Sequence, residues 1–259
     1  ILKAMEGYKV TIRLFDPPLH EFLPSSKNEK VLARAKELEE VNPMMGHRGV
    51  RLGITYPEIY EMQIKAVFEA TAKLVKKKIN AKPQIMIPQV GSVEELNHIK
   101  SIYDNVKSDM EKKYKIKFKI NFGTMLEVVR ACLTSGELTN TAEFFSFGTN
   151  DLTQAVFSFS REDAESKFLE EYKKKEILET SPFQSIDESG VGNLMDIAVS
   201  RGRKMKKDLE IGICGEHGGD PDSIRFCHSI DISYVSASPF RIPVAIVAAA
   251  QAAINQKSK

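Results

Sequence analysis

Several things are scarce or missing in this 259-residue sequence, and each excludes a class of protein. No stretch approaches the roughly 18 consecutive apolar residues that a membrane helix needs, so no membrane partner is expected. The opening residues form neither a basic-then-apolar signal nor an amphipathic transit segment, and a soluble, cytoplasmic protein is the expectation. Only three cysteines occur, Cys132, Cys214 and Cys227; they make no CxxC pair and leave an odd thiol, which fits a reducing compartment rather than a disulfide scaffold. Charge of neither sign dominates, with 37 Lys plus Arg against 35 Asp plus Glu, so no global field favours nucleic acid. The basic runs Lys76 to Lys78, Lys173 to Lys175 and Arg201 to Lys207 read as solvated helix faces. The histidines match neither HExxH nor a CxxC…HxxxH spacing, which disfavours zinc, and neither GxxxxGK[ST] nor a strand-coupled GxGxxG offers a nucleotide cradle. Without internal repeats, low-complexity tracts or a clear linker, residues 1–259 read as one domain.

What is present is a repeated alternation. The 42% hydrophobic content suffices for a sizeable core. Short β-rich runs recur between longer segments of helical period, the pattern of a βαβα fold with a parallel sheet. Six strands are predicted, over Lys9 to Phe15, Pro83 to Pro88, Lys117 to Phe122, Glu143 to Phe147, Glu210 to Cys214 and Ser233 to Ser236. Helices are predicted over Asn28 to Glu40, Pro57 to Lys77, Ser92 to Lys112, Leu126 to Ser135, Gly192 to Arg203, Pro221 to Ser229 and Ile242 to Asn255. The third of them opens on a Ser-Val-Glu-Glu capping box. The charged, aromatic segment Asp151 to Asp187 reads as a βα loop enlarged by helices of its own. Periodicity leaves two architectures open: a doubly wound sheet, or a (β/α)8 barrel with some strands unrecognised or missing. The early first strand suggests a piece of something longer.

Active sites in parallel α/β folds lie beyond the carboxyl ends of the strands. Strand one runs out at Arg13 and Asp16-Pro17-Pro18, the third at Gly123 to Glu127, the fourth at Gly148-Thr149-Asn150-Asp151, and the fifth at Cys214-Gly215-Glu216-His217-Gly218-Gly219-Asp220. Glu127 and Asp151 stand about one βα unit apart, so adjacent strands can aim both carboxylates at one point. Oxygen ligands of that number suit Mg²⁺; capping of the following helix is the plainer alternative. Arg13, Arg48 and Arg161 lie at or near other strand ends, where a guanidinium fork suits phosphate or carboxylate and surface pairing is the alternative. Gly46-His47-Arg48-Gly49 allows close approach of backbone to a ligand, or simply a tight turn. His98 and His228 read as helix residues, whereas His20, His47 and His217 fall in the candidate site loops. The glycine-rich surroundings of Cys214 suit a thiol that gives or takes a proton; Cys132 and Cys227 lie in apolar helical stretches as buried hydrophobes.

The strings RLFDPPLHEFLP, NPMMGHRGVRLGITYPEI, FGTMLEVVRACL, FFSFGTNDLTQ, GICGEHGGDP and YVSASPFRIPVA cover essentially the whole chain. They resemble the C-terminal phosphoenolpyruvate/pyruvate-binding domain of the pyruvate, phosphate dikinases, in the phosphoenolpyruvate-utilising enzyme family. Enzyme I of the bacterial sugar phosphotransferase system and phosphoenolpyruvate synthase share the GTND and CGE-like elements, while DPPLHEF and CGEHGGDP look specifically like the dikinase. The resemblance implies a (β/α)8 TIM-type barrel, here incomplete: the family's first strand, with its TEHMFF-like string, and the helical region after it have no counterpart. It also implies that the ATP-grasp and phosphohistidine domains belong to a larger parent enzyme.

By the same resemblance Glu127 and Asp151 hold Mg²⁺, Cys214 is the catalytic cysteine, and Asn150, Arg13 and Arg48 bind substrate. Arg161 matches a further arginine beyond the metal aspartate, and Arg51 is a lower-ranked rival of Arg48. The implied reaction is the pyruvate/phosphoenolpyruvate half of ATP + phosphate + pyruvate to AMP + diphosphate + phosphoenolpyruvate, through a metal-stabilised enolate. The implied partners are pyruvate or phosphoenolpyruvate and a phosphohistidine domain of the same parent chain, and the expected assembly is a homodimer. Rival readings are a phosphoenolpyruvate synthase or enzyme I-type barrel, a Mg-dependent pyruvate aldolase or lyase, and a non-catalytic dimerisation module.

Overall fold

The computed structural model describes residues 1–18 and 28–257, which fall into two compact units, Ile1–Thr124 and Met125–Lys259. His20 lies outside the described residues.

Unit one begins with β1 (Lys9–Arg13), whose Val-Thr-Ile centre is β-branched and suits a pleated surface. In α1 (Glu29–Glu37) the Asn28 side chain accepts the Lys30 N–H and caps the first turn. A 3₁₀ turn, Pro43–Met45, precedes α2 (Val50–Thr55); α2 stops because Pro57 follows, and that proline opens α3 (Pro57–Lys76), where its missing N–H costs nothing. After β2 (Lys82–Ile87) comes α4 (Val93–Tyr114), opened by the expected capping box: Ser92 Oγ accepts from the Glu95 N–H and Glu95 Oε2 accepts from the Ser92 N–H at 3.0 Å. β1 pairs parallel with β2, Lys9 opposite Lys82, and β2 pairs parallel with β3 (Asn121–Leu126), Gln84 opposite Asn121. Between sheet and helices, the Phe68 ring of α3 meets Phe118 edge-on at 5.0 Å, and the Tyr103 ring of α4 lies tilted against Phe122 of β3 at 5.1 Å.

The third strand departs from its predicted span of Lys117 to Phe122. Its first half does alternate, with Phe118 and Ile120 buried, but the Phe118 N–H donates to Glu111 Oε1 near the end of α4 instead of to a neighbouring strand. Pairing starts at Asn121, so Gly123 to Leu126, expected as a run-out, are buried strand residues and only Glu127 lies beyond the strand.

Met125 and Leu126, the last residues of β3, open unit two. The predicted helix Leu126 to Ser135 is two short ones, α5 (Val129–Leu133) and α6 (Ser135–Leu138), with a break at Thr134. β4 (Phe144–Gly148) is buried along its whole length, as in a parallel strand covered on both faces. α7 (Thr149–Phe157) starts directly on it. The enlarged loop then supplies α8 (Arg161–Lys167) and α9 (Leu169–Lys174), and it has a core of its own: Ala164, Leu169 and Phe183 are buried against Phe159, Phe168 and Leu178. A π-turn, Glu188–Gly192, leads into α10 (Asn193–Met205). β5 (Glu210–Cys214), a 3₁₀ turn at Glu216–Gly219, α11 (Pro221–Ser229), β6 (Tyr234–Val235) and α12 (Ile242–Lys257) complete the unit. β5 pairs parallel with β4, Gly148 opposite Cys214, and with β6, Gly212 opposite Tyr234.

The fold is therefore parallel-strand α/β, with six strands among the described residues where a complete (β/α)8 barrel has eight. No helix of the described residues is long and apolar enough to cross a membrane.

Candidate active site

At the carboxyl end of β1, two predicted arginines come together on a carboxylate to which the sequence reading gave no role. Asp16 Oδ2 accepts from Arg13 NH1 at 3.2 Å and from Arg48 NH2 at 2.9 Å, while Arg48 Nε donates to Asp16 Oδ1 at 3.0 Å. Arg48 NH1 adds a bond to the Met44 carbonyl at 3.3 Å. The fork is held on both of its edges, the arrangement in which arginine is most directional. Arg51 instead serves the loop, donating to the Gly46 carbonyl at 2.8 Å. His47 makes a 2.5 Å bond with Thr55 Oγ1, and Gly49 takes φ +58°, where a Cβ would stand 2.8 Å from Asp16 Oδ1.

In unit two the carboxylates of Glu127 and Asp151 approach within 4.8 Å of each other. Glu127, the residue after β3, is 2% exposed, and Asp151 is half-buried in the first turn of α7. The space for Glu127 exists because residue 148 is glycine: a Cβ there would stand 2.5 Å from Glu127 Oε2. Asp151 Oδ1 accepts from Gln154 Nε2 at 3.3 Å, and Gln154 Oε1 accepts the Arg161 N–H at 2.9 Å, tying the acid to the start of α8. Asn150 presents a buried Oδ1 without a hydrogen-bond partner among the described residues. Cys214 ends β5, half-buried, its thiol 3.4 Å from the Phe147 carbonyl. Gly215 takes φ +107°, which side chains rarely adopt, and a Cβ there would sit 3.3 Å from Thr149 Oγ1 and 3.4 Å from Asn150 Oδ1. Thr149 and Asn150 therefore approach the backbone just after Cys214, where no side chain intervenes, and Thr149 Oγ1 lies 3.3 Å from the Cys214 carbonyl.

The other two thiols are buried, as expected, whereas Cys214 is half-buried. Burial pushes Cys132 up to about 12, with Glu127 adding to it, and burial does the same to Cys227.

Arg161 is not at a strand end. It opens α8 and bonds Glu165 Oε1 at 3.0 Å and Glu216 Oε2 at 2.8 Å, with its guanidinium 5.5 Å from the centre of the Phe183 ring. The bond to Glu216 chiefly raises the pKa of Arg161, and the same bond holds Glu216 below the usual carboxylate range. Arg161 lines a cleft of about 830 Å³ together with Asn150, Gly215, Glu216 and Phe183.

The fit to a cation can be judged from the donors. Glu127 and Asp151 offer oxygen alone, the hard set that suits Mg²⁺. Their carboxylate oxygens lie within 4.8 Å of one another, so Glu127 and Asp151 could hold one such cation between them.

Parallel strands whose ends carry two acids, an amide and a thiol define the class, a barrel-type α/β domain with its site at the carboxyl ends. The chain belongs to the family described as PEP-utilising enzyme, PEP-binding domain (PEP, phosphoenolpyruvate), which its residues 1–254 match. It is 52% identical, over 98% of its length, to pyruvate, phosphate dikinase of Entamoeba histolytica, and 49% identical over 98% to that of Clostridium symbiosum. The chain spans 31% of the length of each of these two relatives. Among solved structures it is similar to a citrate lyase of Burkholderia xenovorans, at a TM-score of 0.44 and 11% identity over 66% of this chain and 50% of that one.

Proposed function

We propose that this domain carries out the pyruvate/phosphoenolpyruvate partial reaction of a pyruvate, phosphate dikinase, with a phosphohistidine domain of the same parent protein as its partner. The observation that carries the reading is the approach of Glu127 and Asp151 to within 4.8 Å beside a strand pair that also carries Cys214, Gly148 lying opposite Cys214 in register.

Glu127 and Asp151 would hold the divalent cation, Mg²⁺ in this reading, whose charge offsets the negative charge that develops on the substrate oxygens. Cys214, as its thiolate, takes a proton from the methyl carbon of pyruvate. The C–H bond breaks and an S–H bond forms; the C–H electron pair becomes the C=C bond of the enolate and the carbonyl π pair moves to oxygen. That oxygen then bonds to phosphorus as the phosphohistidine N–P bond breaks. In the reverse direction Cys214 returns the proton. Asn150, Arg13 and Arg48 neutralise charge on the transferring oxygens, a role assigned to them by the family motifs around each. Arg161 could exchange Glu216 for an anionic group of the substrate. The family description and the relatives' names support the PEP/pyruvate reading over the lyase and dimerisation alternatives.

The test is Cys214→Ser in the full-length protein. Metal-dependent exchange of pyruvate methyl protons with D₂O should fall by at least about a hundredfold, the usual worth of a positioned proton carrier, while binding of Mg²⁺ and oxalate persists. Exchange at the wild-type rate would remove the role from Cys214.

A further inference from the structure

His217 has no part in the chemistry above, yet its ring is fully buried beside it and both ring nitrogens are engaged. Nε2 lies 2.9 Å from the Pro182 carbonyl oxygen, which can only accept, so Nε2 carries a proton. Nδ1 lies 2.7 Å from Thr149 Oγ1. Desolvation is the largest influence on the ring and lowers its pKa; the Pro182 bond and the Asp220 and Glu216 carboxylates oppose that, and Arg161 adds to it. A neutral ring with its proton on Nε2 leaves Nδ1 as an acceptor, and the Thr149 hydroxyl donates to it. The same hydroxyl's alternative acceptor, the Cys214 carbonyl, is farther away at 3.3 Å.

Three segments are joined by this one ring. His217 belongs to the 3₁₀ turn that follows β5 and Cys214. Thr149 is the first residue of α7, immediately before Asn150 and Asp151. Pro182 belongs to the enlarged loop, and its neighbours Ser181 and Phe183 form part of the cleft wall. We propose that His217 is a positioning residue, which through Thr149 sets the stance of Asn150 and Asp151 toward Cys214 and through Pro182 holds that wall in place. The proposal rests on the reading of Cys214 as the proton carrier.

The full-length protein is assayed for Mg²⁺-dependent exchange of pyruvate methyl protons with D₂O, as wild type and as His217→Ala, His217→Asn and Thr149→Val. The Asn amide oxygen can take the place of Nδ1 as acceptor for Thr149, whereas Ala cannot. Misplacement of reacting groups by an ångström can cost about a hundredfold, so His217→Ala and Thr149→Val should lose roughly that factor in kcat, with KM for pyruvate changed by less than about threefold. His217→Asn should recover about tenfold of the loss. A general packing defect would not be rescued in that way. Should His217→Ala fail to fold, Thr149→Val, which deletes one hydroxyl, decides alone. Wild-type kcat in Thr149→Val, or equal losses in His217→Asn and His217→Ala, would overturn the proposal. Absence of exchange in the wild type would overturn the proton-carrier reading itself, and the proposal with it.

Discussion

Arg48 in unit one and Arg161 in unit two each grip a carboxylate, and they do so in opposite ways. The Arg48 side chain is 5% exposed and that of Asp16 is 0% exposed, whereas Arg161 and Glu216 keep 31% and 58%. A buried fork repays the desolvation of its charges only while both partners are present, and removing one leaves the other uncompensated. An exposed pair has given up little hydration and can be traded for another partner at small cost. The sequence presents both residues alike, as arginines near strand ends. Burial separates them into an enclosed guanidinium held by its carboxylate and a solvent-facing one whose anion can be exchanged at small cost.

Truncating each arginine should separate the two, with the larger effect at the buried pair. Arg48→Ala should cost about 3–5 kcal/mol of stability, the range for breaking a buried ion pair, read from urea denaturation. A loss below about 1 kcal/mol would mean that Arg13, already bonded to Asp16 Oδ2, compensates the carboxylate alone and that the Arg48 fork is not structural. Arg161→Ala should cost less than about 1 kcal/mol in the same experiment, since its partners are largely solvated and its bond to Glu216 is screened. A cost as large as that of Arg48 would erase the distinction and make Arg161 part of the framework.

Much of the framework was legible from local chemistry. β5 and α11 fall on their predicted residues because Gly215 at φ +107° ends the first, and Asp220 with Pro221 starts the second. The α4 capping box was readable from four consecutive residues. β3 was displaced because alternation in Lys117 to Ile120 continues outside the ladder, and only the hydrogen bond from Phe118 to Glu111 reveals that the segment is not a strand. The break at Thr134 falls just before Ser135-Gly136, a weak turn signal that the helical period of Leu126 to Ser135 overrode.

The site was readable to the same depth. The strand-end rule brought Glu127 and Asp151 into view, and the apolar settings of Cys132 and Cys227 marked them as buried. The partners were not readable. Arg48 meets Asp16 across 32 residues, Arg161 meets Glu216 across 55, and His217 meets Thr149 across 68. Contacts of that separation depend on the whole chain path and leave no spacing in the sequence. Asp16 could have been suspected from its place three residues beyond Arg13, where one carboxylate is within reach of the arginine at the strand end.

If Glu127 and Asp151 form a cation site serving pyruvate chemistry, calorimetric titration of the full-length protein with Mn²⁺ or Mg²⁺ in the presence of oxalate will register it. The wild type should bind metal and oxalate together, each tightening the other, and the Glu127→Ala, Asp151→Ala double variant should lose that coupled binding while remaining folded by circular dichroism. Metal-dependent oxalate binding undiminished in the double variant would contradict the assignment.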